Sequence, residues 1–89
     1  MRFKPGDRVK ISKDYAWARG AAATIDYPPE FARKLVEDES PWFECHRYIK
    51  GVNRLIEMYW VWFDQPQFDA DGDGPYKGGE IENERLEPL

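Results

Sequence analysis

Five consecutive apolar side chains, Tyr59-Trp60-Val61-Trp62-Phe63, sit inside the run Arg54 to Asp64. Aromatic and β-branched residues favour extended chain. Neighbours in a strand point to opposite faces, so Tyr59, Val61 and Phe63 share one face and Trp60 and Trp62 the other. Both faces are apolar and both need cover, one from a core and the other from a second element or a partner. The run is too long for one flat strand, so a bend is expected near Glu57.

Other segments support the same class. Pro5-Gly6-Asp7 is a turn signal. It leads into Arg8-Val9-Lys10-Ile11-Ser12, whose alternation sends Val9 and Ile11 inward. Residues 13–20 read as a loop. Residues 21–27 read as a strand, since Gly20 precedes them, Pro28-Pro29 closes them, and Thr24, Ile25 and Tyr27 prefer extended chain. The spacing predicts one short helix over 28–37: Pro suits the first turn, Glu30 suits the helix dipole, and Phe31 and Leu35 share a face. Residues 42–49 read as a strand or extended loop and 50–53 as a turn. Residues 65–79, with four Gly and three Asp, read as one long loop. Residues 80–82 resume extended chain, and a short turn sends Leu86 inward. Short strands joined by polar turns point to a small β-barrel or sandwich.

At 89 residues the chain makes one domain with a single thin core. A lone cysteine, Cys45, leaves no internal disulfide and no multi-cysteine metal site. No apolar run approaches the ~20 residues that span a bilayer. No apolar signal segment opens the chain. A cytoplasmic protein without a membrane anchor is the expectation. Charge is uneven: residues 1–20 carry six bases against two acids, and residues 64–89 carry eight acids against two bases. The two ends should lie side by side as neighbouring strands. The net charge of −4 argues against nucleic acid as a partner.

Four stretches together carry a resemblance. They are Phe3-x-Pro5-Gly6-Asp7-Arg8-Val9-x-Ile11, Arg19-Gly20-x-x-Ala23-x-Ile25, Tyr59-Trp60-Val61-x-Phe63-Asp64 and Arg85-Leu86-Glu87-Pro88-Leu89. In order, they resemble the SH3-like barrel of the electron-transport accessory group, which includes the nitrile hydratase beta-subunit barrel and the variable chain of ferredoxin–thioredoxin reductase. The likeness spans about two-thirds of the chain and marks fold better than function. It implies an all-β, SH3-like small barrel of about five antiparallel strands, one domain over 1–89. Residues 28–51 depart from it as an insertion carrying the short helix. It also implies a non-catalytic accessory subunit that packs against another protein.

Asp69-Ala70-Asp71-Gly72-Asp73-Gly74-Pro75-Tyr76-Lys77-Gly78-Gly79-Glu80 fits the spacing of a calcium loop. Ca²⁺ takes six to eight oxygens, which Asp69, Asp71, Asp73, the Pro75 carbonyl and Glu80 would supply. The flanks read as strands rather than helices, and no second loop is present to pair with it. The competing reading is an Asp/Gly turn whose carboxylates cap backbone N–H groups. No other cofactor is implied. Cys45 and His46 are adjacent, which suits neither chelation nor a nucleophile–base pair. The insertion brings Phe31, Leu35, Trp42 and Phe43, which need burial and are expected to cover the Trp60 and Trp62 stripe. Trp42, Phe43, Trp60 and Trp62 are the candidate partner-binding residues. A protein partner or a homodimer follows. A nucleic-acid-binding barrel of the KOW type remains the alternative, and it requires Arg8, Lys10, Lys13 and Arg19 to form one exposed patch.

Overall fold

A computed structural model describes residues 3–37 and 39–89. Among the described residues the chain is all-β, one curled antiparallel sheet of six strands forming a half-barrel. In chain order these are β1 (Arg8–Ile11), β2 (Ala22–Ile25), β3 (His46–Lys50), β4 (Leu55–Gln67), β5 (Tyr76–Glu82) and β6 (Leu86–Pro88). The order across the sheet is β3-β4-β2-β1-β6, with β5 on β4 as well. β4 is the spine. One of its edges takes β3 (His46↔Tyr59 to Lys50↔Leu55) and then β2 (Ala23↔Phe63 to Ile25↔Val61). The handover falls on Trp60. Its N–H donates to the Cys45 carbonyl (3.0 Å) and its carbonyl accepts from the Asp26 N–H (3.1 Å).

The expected bend near Glu57 is absent from the register, since Tyr48↔Glu57 and Ile49↔Ile56 pair without a break. The irregularity lies further on. β4 and β5 stay in step from Met58↔Glu82 to Trp62↔Gly78, and pairing resumes at Gln67↔Tyr76. On the β5 side, residues 63–66 thus have only Lys77 opposite them. Such bulges sharpen twist, and Pro66, which lacks an N–H for the ladder, is tolerated there. The expected loop over 65–79 shrinks to 68–75, because β4 runs to Gln67 and β5 begins at Tyr76.

The core lies on the concave side. Val9, Ile11, Ala23, Ile25, Tyr59, Val61 and Ile81 are fully buried, joined by Phe3, Phe63 and Leu86. The alternation seen in the first strand and the inward turn of Leu86 are both realised. So is the neighbourhood of the two ends: β1 pairs β6 through Val9↔Pro88, Lys10↔Glu87 and Ile11↔Leu86.

The helix expected over 28–37 does not form. A single 3₁₀ turn, Glu30–Arg33, stands in its place, and Lys34 is already extended at φ −62°, ψ 131°. A helix this short survives only if it docks. Phe31 alone of its apolar side chains finds a ring to pack on, Trp60, while Leu35 and Val36 remain exposed. The chain is also pulled back to the sheet by the Glu39↔Ile49 bridge and by Trp42, whose Nε1–H donates to the Ala32 carbonyl (2.9 Å).

An Arg8–Asp64 fork fastens β1 to the bulge. Arg8 donates from both Nη atoms to Asp64 (2.7 and 2.6 Å) and from Nη1 to Thr24 Oγ1 (2.8 Å). The hydrogen bonds from Arg8 lower the Asp64 pKa, with its charge adding to the effect. A carboxyl whose folded pKa is depressed contributes stability above its unfolded pKa, about 3.9. That contribution is lost as pH falls through the folded value. In urea melts across pH 2–6, Asp64→Asn should therefore flatten the acid limb of the stability curve. It should also weaken the salt sensitivity that a half-exposed pair carries. An unchanged acid limb counts against the fork.

Candidate functional site

The outer face of β4 and β5 builds a second, smaller apolar layer. Met58, Trp60 and Trp62 point there, away from Tyr59, Val61 and Phe63. Trp60 is buried at 4% exposure yet stands apart from the main core. Phe31 meets it edge-on at 6.0 Å between ring centres and Trp62 at 5.3 Å. The expected cover thus forms over Trp60. The covering side chains do not themselves bury as expected: Phe31, Leu35 and Phe43 keep 71%, 65% and 53% of their surface exposed.

Arg47 ties this layer together, and sequence reasoning missed it. It sits on β3 opposite Met58, 4% exposed. Its Nε and Nη2 donate to Glu80 Oε1 and Oε2, both at 2.7 Å. Its Nη1 lies 2.9 Å from Glu39 Oε2, a charge contact without hydrogen-bond alignment. Its guanidinium carbon stands 4.8 Å from the centre of the Trp42 ring. Burial works against the charge, but the Glu80 and Glu39 carboxylates outweigh it, so the Arg47 pKa rises above the usual arginine value.

Beside this layer opens a cleft of about 540 Å³, lined by Tyr27, Arg33, Leu35, Pro41, Trp42 and Glu44. Trp42 is half-buried in its wall, and Phe43 stands exposed next to it, ring to ring with His46 at 5.9 Å. Of the four candidate contact residues, Trp42 and Phe43 therefore border accessible surface. Trp62 is half-buried and Trp60 is covered.

The acidic loop divides. Asp69, Asp71 and Asp73 each bring a carboxylate oxygen within 4.8 Å of the others. Glu80 is held by Arg47 and is not part of that group. Pro75 follows Gly74 through a cis peptide bond. Asp69 Oδ1 accepts from the N–H groups of Asp71 and Asp73, both at 2.9 Å, so this carboxylate caps the turn. Asp69 and then Asp73 raise the Tyr76 pKa, with burial contributing between them in weight.

The basic residues also divide. Arg8 is engaged by Asp64, Lys10 lies in register with Glu87, Lys13 is exposed, and Arg19 Nε donates to the Tyr15 carbonyl (2.7 Å). The Cys45 thiol is buried, which raises its pKa. Among the described residues, no helix is long and apolar enough to cross a membrane. Set against known protein families, curated proteins and solved structures, the chain has no match in any of the three comparisons.

Proposed function

We propose that the chain is a small, non-catalytic protein-interaction module of the accessory-subunit kind. Its contact surface is the cleft and rim built by residues 27–44. The observation that carries this reading is where apolar surface remains. Of residues 28–51 the core cluster takes only Cys45, while Tyr27, Phe31, Leu35, Val36 and Phe43 stay exposed within one short stretch. Clustered apolar surface with a polar rim is the pattern of protein contact sites. Aromatic anchors such as Trp42 and Phe43 dominate such contacts. The resemblance to accessory barrels supports the same reading.

The test is affinity capture and sedimentation of the wild-type chain beside Leu35→Glu and Phe43→Glu. Both side chains are exposed, so neither charge should disturb folding. Each should lower association with the partner, or with a second copy, by about tenfold or more. A control charge at Val52, which lies exposed in the β3–β4 turn, should do nothing. Full retention of binding in both cleft variants moves the contact surface elsewhere. A calcium-binding role is the second reading, favoured by the convergence of Asp69, Asp71 and Asp73. Running the same capture with and without Ca²⁺ separates the two, because only that role makes association or stability follow the metal.

A further inference from the structure

We propose that residues 28–37 form a strap that lifts from the sheet while the barrel stays folded, uncovering Trp60. This stands whether or not the neighbouring cleft binds a partner.

Little holds the strap down. Among the described residues, its backbone hydrogen bonds stay local: Ala32 N–H to the Pro29 carbonyl, and Glu39 N–H to the Val36 carbonyl. The 3₁₀ turn buries none of its four residues. Phe31, Leu35 and Val36 are exposed in the closed position, at 71%, 65% and 61%, so on lifting these side chains lose little burial of their own. Pro28 is buried and roots the strap at one end. At the other end Glu39 and Ser40 are fixed to β3, through the Glu39↔Ile49 bridge and the Ser40 N–H to the Tyr48 carbonyl (3.0 Å). Segments with few buried contacts and few tertiary hydrogen bonds open locally, well below the cost of global unfolding.

Among the described residues, two contacts keep it closed. One is the Phe31 ring on Trp60. The other is the hydrogen bond from Trp42 Nε1 to the Ala32 carbonyl. Trp42 itself stays with the sheet, since Arg47 packs on its ring and is anchored by Glu80. Trp42 is therefore the latch and the strap is the moving part. Trp60 also carries a buried Nε1–H that has no acceptor among the described residues. An unpaired buried donor carries a penalty that water removes once the strap lifts.

The Trp60 indole N–H reports the motion, because only cover protects it from solvent. Nitrogen-15 spectra resolve each tryptophan side chain. After correction for intrinsic rates, the Trp60 indole proton should exchange about tenfold or more faster than the Val61 and Ile25 amides. Its rate should respond to low urea more weakly than the Val61 and Ile25 amides do, as expected for an opening that exposes far less surface than global unfolding. Trp42→Phe removes the donor and keeps a ring for Arg47. It should speed Trp60 exchange about fivefold and leave the β4 amides unchanged. Phe31→Ala should act in the same direction and serves if Trp42→Phe does not fold. The proposal is overturned if Trp60 and Val61 exchange at one rate with one urea dependence. It is equally overturned if either folded variant speeds both sites by the same factor.

Discussion

Gly78→Ala is expected to lower stability by about 2–3 kcal/mol, the upper part of the range for overpacking a closed site. Gly78 lies on β5 directly opposite Trp62. A Cβ there would stand 2.5 Å from the Val61 carbonyl oxygen and 2.6 Å from Trp62 Cε3. The oxygen belongs to the spine of the sheet and cannot rotate away. β5 would have to part from β4, where Trp62 packs its ring on a residue without a side chain. Gly79→Ala should cost less. Its Cβ meets only the Trp17 ring, at 2.9 Å, and that half-buried side chain has room to lift. Gly51→Ala should cost least, because the nearest atom is the flexible tip of Ile56 at 2.7 Å. For a domain whose total stability is of order 5–10 kcal/mol, the first change is large enough to read directly from urea midpoints. A Gly78→Ala protein as stable as wild type would mean that β5 does not pair with β4 at this position.

Those glycines also show what a sequence hides. Gly78-Gly79 reads locally as loop, since glycine weakens a strand and is common in turns. Here it is the requirement of a strand gripped on both faces, by Trp62 on one and Trp17 on the other. The aromatic partners lie far off in sequence, so nothing local signals them. The same holds for Glu80. Its spacing from Asp69 fits a calcium loop, yet its partner is Arg47, thirty-three residues earlier. A lone arginine between His46 and Tyr48 looks like an ordinary solvent-facing strand position. By contrast, the features set by local alternation or by gross charge were legible: Val9 and Ile11 inward, Tyr59, Val61 and Phe63 together on one face, and the basic start beside the acidic end. The helix over 28–37 fell between these cases. Its local signals were sound, but docking decides short helices, and the sheet offers a seat only to Phe31.

Arg47→Met should be the most damaging charge change in the chain, at about 3 kcal/mol, the low end for breaking a buried pair. The low end applies because the partner side chains retain some water: Glu39 and Glu80 are 20% and 24% exposed against 5% for Arg47. The cost comes mainly from what is left behind. Two carboxylates face each other under the insertion with no cation, and Trp42 loses the guanidinium on its ring. Arg47→Lys keeps the charge but cannot make the two-pronged contact with Glu80, so it should fall between. The decisive comparison is a double-mutant cycle with Glu80→Gln. In the Arg47→Met background that change removes an orphaned charge and should restore about 1 kcal/mol or more. In the wild type it removes one half of a working fork and should destabilise. A sign reversal of this kind follows only if Arg47 and Glu80 meet face to face across β4. Simple additivity of the two substitutions would place Arg47 in solvent, and the layer over Trp60 would lose the cation that joins insertion to sheet.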